Sequence, residues 1–146
     1  MLRQTEKHVR ELIAAYPVLS IRQPWAWAIL YAGKDVENRA WRYSPNYRGP
    51  LLVHAGKQWY DGSFDDDDRR LFQGTVNGAG SIAVVPADMP RGGIVGLVDL
   101  VDVVWESNSP WFFGPMAFAL QNPRPLPFTP CKGALGMFKA KFPEGE

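Results

Sequence analysis

Three residues that can do chemistry crowd one short segment, Gly33-Lys34-Asp35-Val36-Glu37-Asn38-Arg39. The Arg39 fork can clamp a phosphate or a base edge with two hydrogen bonds. Glu37 can accept a base amino group, or it can hold Lys34 or Arg39 in place. Lys34 can bind phosphate as a point charge or act as a base in catalysis, with Glu37 as its proton partner. The plain alternative is a structural Glu–Arg pair that closes one end of the fold. A second polar group lies in Ser20-Ile21-Arg22-Gln23-Pro24-Trp25-Ala26. Arg22 and Gln23 can read a ligand at a helix start or simply cap that helix. Trp25 can stack on a base or pack in the core. His54 ends an apolar stretch and is either a buried structural histidine or a general acid–base. Lys132 offers a further phosphate contact or sits in a turn.

The elements that position these groups are short. Leu2, Val9, Leu12, Ile13 and Tyr16 recur at helical spacing, so residues 2–15 form an amphipathic helix stopped by Pro17. A strand follows at 18–21, then a helix over 24–31 with Gly33 at its end. Strands are expected over 36–43, 49–55, 93–105, 111–120 and 135–142, with Gly96 marking a bulge or a close backbone approach. Residues 57–72 read as a helix and 73–93 as a Gly/Pro-rich excursion, either a lid or a disordered loop. Residues 122–130 read as a proline-rich connector. Trp41, Trp59, Trp105 and Trp111 are assigned to structure. The sum is an α+β, mainly β chain: a small β-barrel with helices flanking its openings.

Composition sets outer bounds. A chain of 146 residues with 46% hydrophobic and 13% aromatic content folds as one domain around one core. Net charge is only +1, but its distribution is uneven. Six bases and two acids lie between Arg22 and Lys57, and four bases and no acid between Arg124 and Lys141. The run Asp65 to Asp68 lacks the ligand pattern of a calcium loop and reads as solvated. Cys131 is alone and the two histidines are distant, so neither a disulfide, a metal site nor a cofactor is expected. The charged N-terminal segment is no signal peptide, and the apolar run 24–32 is too short to span a bilayer. No membrane association and a cytoplasmic, reducing setting are the expectation.

The two polar segments, the strand Gly93-Ile94-Val95-Gly96-Leu97-Val98-Asp99-Leu100 and the closing Lys132-Gly133-Ala134-Leu135-Gly136 together resemble the ASCH domain family. The resemblance runs from about Val18 to Phe142. It divides the chain into an N-terminal helical extension, 1–17, and an ASCH domain, 18–146. It implies a PUA-like β-barrel with a cleft between barrel and helix, Lys34, Glu37 and Arg39 at its floor and Arg22, Gln23 and Trp25 on its wall. It also implies a ligand that is RNA or a modified nucleoside or nucleotide. One branch of the family is a metal-independent amidohydrolase of N4-acetylcytidine, with a threonine three residues after the lysine; here that place is Glu37. Glu106 is a loose candidate for that branch's further glutamate. Another branch resembles a ribonuclease. A protein-interaction adaptor, docking through the N-terminal helix and the glycine-rich excursion, is a third reading.

Overall fold

A computed structural model describes residues 4–40, 44–59 and 89–141. The acidic run, most of the 73–93 excursion and residues 60–72 lie outside the described residues.

Helix α1 (Gln4–Ala15) presents Val9 and Ile13, four residues apart and almost fully buried. They cover Val18, Leu52, Ile94 and Leu97 on one face of the sheet. Strand β1 (Val18–Gln23) feeds the short helix α2 (Trp25–Tyr31). There the Gln23 side-chain oxygen accepts the Trp27 N–H at 2.9 Å, satisfying a donor that a helix start leaves open. Gly33 takes φ +75°, and the Lys34 N–H bonds back to the Ala28 carbonyl at 3.1 Å. That bond, reaching back six residues, closes off the helix end and fixes where Lys34 begins.

The remaining strands are β2 (Val36–Arg39), β3 (Gly49–Trp59), β4 (Gly93–Val104), β5 (Met116–Pro130) and β6 (Met137–Phe138). They form one six-stranded sheet in the order β2-β5-β4-β3-β1-β6. Only β1 and β3 run parallel; the other pairs are antiparallel. The sheet curls into a half-barrel around a core of Leu19, Ile29, Leu51, Val98, Phe118 and their neighbours. Among the described residues the fold is therefore mainly β, a small barrel with two flanking helices.

Four expectations need correction; one is the strand over 111–120, which begins only at Met116. Residues 57–59 continue β3 instead of opening a helix, because Trp59 still pairs with Gln23 across β1. The proline-rich stretch 122–130 is the second half of β5, not a connector. β2 covers only Met116–Ala119 of that strand, so among the described elements the rest is an edge. Prolines at 123, 125 and 127 place their missing donors on one side, which an edge strand tolerates. The last strand is only Met137–Phe138. Of the tryptophans assigned to structure, Trp111 is buried, whereas Trp105 is 54% exposed. Gly96 fulfils both of its readings. The β4 register shifts beside it, and a Cβ there would lie 3.0 Å from the Arg124 carbonyl and 2.4 Å from a Leu30 methyl.

Candidate functional site

The half-barrel leaves a seam. β2 is one edge of the sheet, and β1 stands near the other, covered by β6 only at Val18 and Leu19. The two edges face each other across a cleft of about 790 Å³. β1 and the end of β3 form one wall, with Ser20, Arg22, Lys57 and Gln58. β2 supplies Glu37, Asn38 and Arg39 to the other, with Phe113 at its rim. Trp25 and Lys34, at the two ends of α2, complete the lining with residues 134–136. Four cations and one carboxylate line this space.

Lys34 is only 4% exposed, and its ammonium donates to Glu37 Oε1 at 3.0 Å and to the Val36 carbonyl. It also lies 5.8 Å from the Trp25 ring centroid, within cation–π range. Burying an ammonium is costly unless its protons are engaged, and here carboxylate, carbonyl and ring face all engage it. Glu37 Oε2 meets Arg39 at 3.5 Å, so one carboxylate is shared by two cations and the trio keeps one positive charge. Arg39 donates to the Ser20 carbonyl at 3.0 Å, which ties β2 to β1 across the seam. Arg39 thus bridges the seam, the kind of role the structural alternative gives the pair, and both residues line the cleft as well. Arg39 Nε has no acceptor among the described residues, the kind of donor that a ligand can take up after a small shift.

Of the sequence-selected residues, Arg22, Trp25, Lys34, Glu37 and Arg39 come together here. Gln23, His54 and Lys132 do not line the cleft. Gln23 is 1% exposed and spent on the Trp27 N–H and, at 3.0 Å, the Pro90 carbonyl. His54 is equally buried. Its Nε2–H must be the donor to the Cys131 carbonyl at 2.8 Å, because a carbonyl only accepts. In the neutral ring Nδ1 then accepts the Ser20 hydroxyl at 3.0 Å. Burial pushes the His54 pKa below its ordinary value, against the opposing pull of the Cys131 bond, and this favours that neutral form. Lys132 is exposed on the segment after Cys131. Glu106 is exposed past the end of β4 and is likewise absent from the lining.

Asn38, Lys57, Gln58 and Phe113 line the cleft but were not singled out from sequence as ligand residues. Lys57 carried a signal, as the last base of the basic segment. Phe113 carried none, since an aromatic in the run Trp111-Phe112-Phe113, within an expected strand, reads as core.

A PUA-like small barrel with this cleft defines the class of protein. The sequence matches the ASCH domain family over residues 19–113, more than half of the chain, and the protein belongs to that family. No curated protein matches it. Among the described residues, no helix is long and apolar enough to cross a membrane, and no three His, Cys, Asp or Glu side chains cluster as metal ligands.

Proposed function

We propose that the seam cleft binds single-stranded RNA or a modified nucleotide. The observation that carries this reading is the convergence of Arg22, Lys34, Arg39 and Lys57 with the Trp25 ring in one open cleft. Cations take phosphates and an aromatic face takes a base, the combination that single-strand binders use. Glu37 supplies an acceptor for a base amino group, already oriented by Lys34 and Arg39. A PUA-like family is consistent with RNA binding in general. Titration of short single-stranded RNA, followed by tryptophan fluorescence, tests it. We expect quenching that weakens with salt and disappears in Trp25→Phe; salt-independent fluorescence with no quenching would contradict it.

A hydrolase in the same cleft is the second reading, favoured by the 3.0 Å Lys34–Glu37 contact that a base and its proton partner need. Turnover of N4-acetylcytidine that Lys34→Ala abolishes would support it; no turnover by the wild type would end it.

A further inference from the structure

The two walls of the seam differ in chemistry. Arg22 and Lys57, both exposed, stand on the β1–β3 wall. The β2 wall ends in Phe113, whose side is 61% exposed although it is a large apolar residue. The segment carrying that ring is unusually well anchored. Asn38 Oδ1 accepts the Phe113 N–H at 2.8 Å and the Gly114 N–H at 3.1 Å. Asn38 Nδ2 donates to the Trp111 carbonyl at 3.0 Å, and the Trp111 side chain is almost fully buried beside it. Two residues further out, Ser109 donates to the Asp35 carboxylate and takes the Trp111 N–H at 3.2 Å. Asp35 and Asn38 both belong to the motif segment that carries Glu37 and Arg39. The backbone that carries this exposed ring is therefore held to β2 at the rim of the cleft, and among the described residues the ring stays largely uncovered, which suits a preorganised contact with a ligand.

A single nucleic-acid strand has the same division, with phosphates along one edge and bases along the other. We infer that Phe113 is a stacking platform for the base next to the one held in the cleft. The ligand is then a strand of at least two nucleotides, its phosphates on the Arg22–Lys57 wall, and Asn38 is a positioning residue. This rests on the cleft being a nucleic-acid site.

The test compares a single-stranded RNA trinucleotide with the same trinucleotide made abasic at both ends, at one fixed salt concentration. Both probes carry the same phosphates, so their affinity ratio reads only the neighbouring bases. Stacking on one aromatic ring is worth about fivefold or more in affinity. We expect that preference in the wild type, its loss in Phe113→Ala and its rescue in Phe113→Trp. Asn38→Ala should reduce it too. Equal binding of the two probes by the wild type, or a preference that survives Phe113→Ala, would overturn the platform while leaving the cleft reading intact. A wild type that binds neither probe would overturn both.

Discussion

At the scale of single residues, the site is a compromise between binding and closure. Glu37 is shared by two cations, so removing its charge should be felt in both. Glu37→Gln leaves the Lys34 ammonium buried without its carboxylate. We expect a loss of about 1–3 kcal/mol in urea unfolding, and weaker RNA binding as the cations rearrange. His54 gives a separate, pH-dependent effect. Its folded-state pKa lies below the unfolded value of 6.5, so below that pH the unfolded chain binds more protons than the folded one. Stability is then complete above the unfolded pKa and falls as pH drops beneath it. Unfolding midpoints between about pH 5 and pH 7 should show this fall in the wild type and less of it in His54→Gln. The charged trio was legible because four ionisable residues within six positions, Lys34 to Arg39, are rarely accidental. His54 and Gln23 were not separable from ligand residues by type alone. Only the partners, a backbone carbonyl in each case, show that their hydrogen bonds are already used.

At the scale of elements, turns and apolar periodicity spoke clearly, and edge strands did not. Gly33 and Pro17 marked helix ends because each has a local backbone reason. The prolines of β5 looked like a connector because proline removes ladder donors, yet on an edge those donors have no partner to lose. The same strand pair sets a sharp packing limit. A Cβ at Gly93 would sit 2.6 Å from the Thr129 carbonyl and 2.7 Å from the Phe128 ring. The backbone oxygen cannot move without opening the β4–β5 ladder. Gly93→Ala should therefore cost about 1–3 kcal/mol, read as a lower denaturation midpoint. A midpoint equal to the wild type would show that the ladder yields there at no cost.

At the scale of the molecule, the proposed function rests on incomplete closure. A fully closed barrel would bury its edges. Among the described residues this one has six strands, leaves β1 and β2 facing each other, and bridges them with Arg39 instead of a backbone ladder. The class of fold was legible from the number of short strands and the family resemblance. The seam was not, because it depends on which two edges meet, and that is fixed by pairings between residues far apart in sequence. Charge shows the same limit: a net charge of +1 hides a cleft with four cations and one carboxylate. The most direct check is the salt dependence of single-stranded RNA affinity for the wild type and for Arg22→Ala/Lys57→Ala. Both side chains are exposed, so the variant should fold. Each lost phosphate contact should lower the log–log salt slope by about 0.7, and we expect weaker binding with a slope flatter by about 1.4. Unchanged affinity and slope would contradict a nucleic-acid site in the seam.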